Sequence, residues 1–182
     1  MRSCLRSFAV SVLVGAACAW AGAAGAATPI TVTSKAATDG PIRYTVRFSS
    51  KTYGDVHDTR TIRSGESDDY TWMTEPPGGQ VVVAEACPDY DNLPLDASGA
   101  LIRQTRIRFA PVVAHDGTAT VQMSVFAVAP RGMKDIKVKG KRLHCPDMAR
   151  LDQLVHFSML TDGSTKTVTL ADGTQVSVSA QR

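Results

Sequence analysis

The side chains of this 182-residue chain with chemistry to offer are four histidines, scattered carboxylates, four cysteines and one dense run of cations. A nucleophilic mechanism needs a base beside a nucleophile, and His57-Asp58 and His115-Asp116 are the nearest approach. Both pairs fall in polar, turn-like segments, and neighbours in a turn do not make a triad, which is a matter of geometry rather than spacing. Ser64-Gly65-Glu66-Ser67 reads as a turn and not as a nucleophile elbow. Asp68, Asp69, Glu85 and Asp91 could in principle supply the carboxylate pair of a glycosidase, but nothing in their spacing sets a working separation. Asp89-Tyr90-Asp91-Asn92 with Asp96 has the oxygen-rich composition of a calcium loop, without the glycine and distal glutamate of an EF-hand. No phosphate-cradling loop is present. No catalytic residue, metal or cofactor is therefore assigned, and the chain reads as a non-enzyme before an enzyme.

The cysteines are more informative. Cys87 and Cys145 sit in matching contexts, Cys87-Pro88-Asp89 and Cys145-Pro146-Asp147. An even pair in an oxidising compartment is most simply a disulfide. The alternative is a metal site adding His144, which lacks C-x-x-C or H-x-x-x-H spacing. A bond would close a loop of nearly 60 residues, worth about 4 kcal/mol in the chain-entropy model.

The sharper feature is the stretch from Arg131 to Arg142, with six bases and one acid. Read as a strand, it puts Lys137, Lys139 and Lys141 on one face, with Ile136 and Val138 toward the core. Lys134, Lys137, Lys139, Lys141 and Arg142 then form a candidate docking patch for an acidic envelope protein, an anionic lipid or a polysaccharide. The competing role is an edge strand guarded against aggregation by its lysines. Nucleic acid is disfavoured, since no aromatic side chains interleave with these cations. The overall charge of +3 also falls to about +1 without Arg2 and Arg6.

The elements that must carry these residues are written mostly in period two. Ile42, Tyr44, Val46 and Phe48 alternate with polar residues, predicting a half-buried strand. Ile30–Val32, Arg60–Arg63, Tyr70–Thr74 and Val81–Ala86 suggest further strands, followed by Arg106–Val113, Thr118–Val128 and Met133–Cys145. Gln153–Leu160, Lys166–Leu170 and Thr174–Ala180, separated by Asp162-Gly163 and Asp172-Gly173, suggest a terminal three-stranded meander. Asp116-Gly117 marks another tight hairpin. Met148, Leu151 and Leu154 or Val155, after Pro146-Asp147, suggest one short helix near 147–154. The expected fold is all-β: a single-domain antiparallel β-sandwich, or partly open barrel, of about ten short strands with one disulfide, over residues 28–182.

Residues 1–27 have the three parts of a secretory signal: Arg2 and Arg6, an apolar run over Phe8–Ala19, and A-x-A sites ending at Ala23 and Ala26. Lipidation at Cys18 is the minor alternative, with Gly15 where a large aliphatic belongs. The resulting reading is a periplasmic or secreted binding or accessory protein of the bacterial envelope. A small secreted hydrolase or inhibitor acting on an envelope polymer is the runner-up. The exported chain should begin near Ala27 or Thr28 and carry no lipid; intact-mass measurement of periplasmic protein checks this, and a diacylated Cys18 would refute it.

Overall fold

The structure is a computed structural model that describes residues 40–182. The signal segment, Cys18 and the strand expected at Ile30–Val32 lie outside the described residues. Two four-stranded antiparallel sheets carry the fold. Strands β1 (Ile42–Ser50), β2 (Gly54–Ile62), β7 (Asp162–Thr169) and β8 (Gln175–Gln181) form one sheet, in the order β2-β1-β8-β7. Strands β3 (Asp68–Thr74), β4 (Arg103–Val113), β5 (Thr118–Val138) and β6 (Lys141–Leu160) form the other, in that order.

The core follows from alternation. Ile42, Tyr44, Val46 and Phe48 of β1 are fully buried, as are Val121, Met123 and Val125 of β5. At its centre Tyr44 and Phe109 meet at 5.0 Å, and Tyr70 stands edge-on to Phe109 at 6.4 Å. Such pairs add about 0.5–1.5 kcal/mol each beyond the area they bury. Arg60 joins the sheets at the β2–β3 crossing, binding Asp58 at 3.1 Å and Asp68 at 2.9 Å and lying 5.0 Å from the centre of the Tyr70 ring. Two hairpins share one turn. In Ala114–Thr118 and Leu170–Thr174 an Asp-Gly-Thr closes the loop, with the Asp carboxylate accepting the threonine N–H at 2.8 and 3.0 Å. Gly117 and Gly173 take the positive φ, 85° and 84°, that this turn needs.

Several expectations are corrected. Among the described residues there are eight strands, against about ten expected for the chain, because β5 and β6 run 21 and 20 residues and absorb segments that looked separate. The helix near 147–154 is part of β6. Ala149 and Leu151 face the main core, and Met148 packs on the other side, so the spacing 148-151-155 arises from a strand covered on both faces. Pro146 is tolerated there because β6 is an edge strand. The segment Met133–Cys145 is two strands, joined by the turn Lys139-Gly140. The terminal meander is a hairpin only: β6 ends one sheet, and the chain crosses at Thr161 to begin β7 in the other. Val81–Ala86 makes a single bridge, Val82 to Ala100, because its apolar residues serve a second small core instead.

Burial pushes the Tyr44 phenol up to about 12, Arg182 opposing, and its hydroxyl has no hydrogen-bond partner among the described residues. Removing an unsatisfied buried hydroxyl while keeping the ring should cost nothing. Tyr44→Phe is therefore expected to match the parent in urea unfolding or to gain about 1 kcal/mol; a clear loss would mean the hydroxyl is bonded.

Candidate functional site

Pairing between β4 and β5 ends at Gln104–Val128, yet β5 and β6 stay paired to Val138–Lys141. Beyond Val128 the two strands form a two-stranded arm about 30 Å long, at roughly 3.3 Å per residue. The register shifts once, between Pro130 and Gly132, where the ribbon leaves the sheet. Its tip is the two-residue turn Lys139-Gly140, with φ of 48° and 81°. Positive φ at both positions suits a type I′ hairpin, for which Asn-Gly is the favoured sequence.

A lone two-stranded ribbon is marginal in water, so this one needs support. Support comes from the long connection between β3 and β4, which contains a 3-10 turn at Tyr90–Asn92. Cys87 in that connection is bonded to Cys145 on the arm, as the sequence led us to expect. Val83, Cys87, Leu101 and Cys145 are the buried centre of a second core, with Ile136, Leu143 and Met148 of the arm against it. Both sulfurs are committed to each other, which removes them as metal ligands.

The structure places the candidate patch differently from a single-faced strand. Cross-strand partners share a face, and partners alternate along the ribbon. Lys134, opposite Cys145, and Lys141, opposite Val138, therefore lie on the disulfide side. Lys137 and Arg142 face each other on the opposite side, and Lys139 sits in the turn. The three lysines expected on one face are distributed around the tip instead, because Lys139 bends the chain rather than extending it.

Their surroundings also differ. Asp147 binds Lys134 at 3.0 Å and Arg131 at 3.2 Å, so both cations at the arm's root are ion-paired to one shared carboxylate. Lys137, Lys139, Lys141 and Arg142 are exposed and have no ion-pair partner among the described residues. Asp135 is taken by His144, whose Nδ1 lies 2.9 Å from the Asp135 carboxylate.

The other chemistry-bearing residues do not converge. His57 lies on β2 opposite Arg47, His115 in the β4–β5 turn, and His156 on β6 opposite Gln122. Asp68 and Asp69 are adjacent on β3 and point to opposite faces. Asp68 holds Arg60, and Asp69 is held below the usual carboxylate range by the hydrogen bond from Arg106 at 2.8 Å. Asp96 is used within its own loop, accepting from the Ser98 hydroxyl at 2.6 Å and from the backbone N–H groups of Ser98 and Ala100. Among the described residues no three His, Cys, Asp or Glu side chains are grouped to hold a metal ion, and no helix is long and apolar enough to cross a membrane. Arg150, which sequence reasoning missed, and Met148, which it read only as part of a helical stripe, line a cleft at the arm's root; the repeated Cys-Pro-Asp triplet was the signal that could have led there.

A family model matches residues 1–182 and is described as a family of unknown function, DUF6013. No curated protein and no solved structure matches the chain.

The hydrogen bond from Lys134, followed by the charge of Arg131, lowers the Asp147 carboxyl below its ordinary value. A depressed carboxylate contributes above its unfolded-state pKa and loses that contribution as pH falls through the folded value. In an NMR titration Asp147 should have a midpoint below the ordinary aspartate value of about 3.9, and Lys134→Gln should raise it. An unmoved midpoint would show that Lys134 is not its principal partner.

Proposed function

We infer that this chain, which belongs to the family DUF6013, is an exported, non-enzymatic binding module that grips an acidic polymer of the bacterial envelope with its β5–β6 arm. The observation that carries this reading is the cluster of four cations at the tip, on both faces of the ribbon and in its turn, none of them in an ion pair among the described residues. Exposed cations that are already paired have little left to offer a partner, and the root's Lys134 and Arg131 are in that position. The tip is not.

Two further features support it. Lys139 occupies a left-handed position where Asn, Asp or Gly is less strained, so the local backbone is not what favours a lysine there. Departures from local preference tend to mark functional places. The arm is also braced by a disulfide and its own small core, which would hold the tip's charges in place before a partner arrives. Export is supported by that disulfide, which persists in oxidising compartments, and by the signal-like segment 1–27.

The partner's form follows from the distribution of charge. A flat anionic membrane meets one side of a ribbon, whereas a flexible acidic chain can reach Lys137 and Arg142 on one side and Lys141 on the other. The tip also offers only half-buried Val138 as an apolar anchor. An acidic polysaccharide is therefore favoured over a lipid surface.

The test compares wild-type protein with a Lys137→Gln, Lys139→Gln, Lys141→Gln variant on immobilised polygalacturonate and on vesicles of anionic phospholipid. Wild type should be retained on the polysaccharide and released as salt rises, since such charges act over about 8–10 Å. The variant should elute at distinctly lower salt with unchanged folding, because surface substitutions shift stability by less than about 0.5 kcal/mol each. A Lys51→Gln, Lys166→Gln control should elute like wild type. Identical elution of the triple variant would leave the lysines as a guard against edge-to-edge aggregation and refute the proposal.

A further inference from the structure

The disulfide does more than brace the arm: it brings the two Cys-Pro-Asp triplets together. Pro88 and Asp89 follow one cysteine, Pro146 and Asp147 follow the other, and all four line a single cleft of about 700 Å³. That lies within the range of small-molecule sites, about 300–1,000 Å³. The walls belong to different elements. Leu93 and Pro94 come from the β3–β4 connection, and Val128 and Met148 come from the two strands at the arm's root.

The charges in the cleft sort into a satisfied pair and an unsatisfied one. Lys134 and Asp147 bond each other at 3.0 Å, with Arg131 as a second hold on the carboxylate. Asp89 on the connection and Arg150 on β6 have no ion-pair partner among the described residues, and so do not pair with each other. Arg150 lies 5.9 Å from the Phe126 ring centroid, a contact that orients a guanidinium while leaving its donors available. Asp89 has φ of 59°, a left-handed conformation that aspartate tolerates better than most residues.

We propose that this cleft binds a short zwitterionic peptide of two or three residues. Arg150 takes the terminal carboxylate through its planar fork of donors, Asp89 takes the terminal ammonium, and an apolar side chain lies against Leu93, Val128 and Met148. A ligand carrying only negative charge leaves Asp89 opposed. The site is therefore separate in chemistry from the cationic tip, and none of Lys137, Lys139 and Lys141 lines it.

The probe is leucyl-leucine, titrated into the disulfide-bonded protein and followed by calorimetry and amide NMR shifts. Binding is expected with shifts centred on residues 88–94 and 146–150. The N-acetylated and C-amidated forms should each bind at least tenfold more weakly to the wild-type protein, a comparison that requires no variant to fold. Arg150→Gln should abolish the difference between free acid and amide, and Asp89→Asn should abolish the difference between free amine and acetylated form. The Lys137→Gln, Lys139→Gln, Lys141→Gln protein should bind the dipeptide as wild type does. Three results would overturn the proposal: no binding of leucyl-leucine at millimolar concentration, equal binding of free and capped peptides, or loss of binding in the tip variant.

Discussion

The continuous pairing of β5 with β6 is the constraint on which the rest of the molecule depends. The same two strands serve two cores. Over Thr118–Ala129 their inward side chains close the sandwich, and over Met133–Cys145 they supply the platform for the smaller core around the disulfide. A one-residue slip in an antiparallel pair exchanges the two faces of a strand. Such a slip here would turn Met123 and Val125 outward and would also move Cys145 away from Cys87. Register in the sandwich and geometry at the arm are thus fixed by one ladder.

That arrangement divides labour between the two cores. The larger core is aromatic at its centre, with Tyr44, Tyr70 and Phe109 in mutual contact, and it needs no covalent help. The smaller has few apolar residues, draws them largely from an irregular connection, and is cross-linked. A bond closing a loop of this length removes freedom from the unfolded chain, which offsets what so small a core cannot supply. Both the cationic tip and the cleft are mounted on the cross-linked part, where the ladder, the disulfide and the small core hold the chain.

Much of the fold was legible because its signals were local. The alternation Ile42-Tyr44-Val46-Phe48, the Asp-Gly turns at 116–117 and 172–173 and the paired cysteines each carry their reason within a few residues. What was hidden depended on partners far away. Met148 and Leu151 read as a helical stripe because β6 is covered on opposite faces by different cores, a pattern neither period describes. Lys139-Gly140 was not seen as a turn because lysine stands where asparagine is usual, and that concealed the arm and distributed the patch. Alternation could not say that β6 and β7 belong to different sheets. The cleft needed the disulfide in three dimensions before its two triplets could be seen to meet.

The position of the clamp along the arm has a mechanical consequence. From the last strand pair shared with β4 to the tip, each strand runs about ten residues, and Cys145, opposite Lys134, lies near the middle of that span. Ile136 and Leu143, two pairs nearer the tip, extend this hold by packing on the small core. A pull on the tip is thus shared between the β5–β6 ladder and the sulfur bridge, which ties the arm to the β3–β4 connection on the tip side of the register shift at Pro130–Gly132.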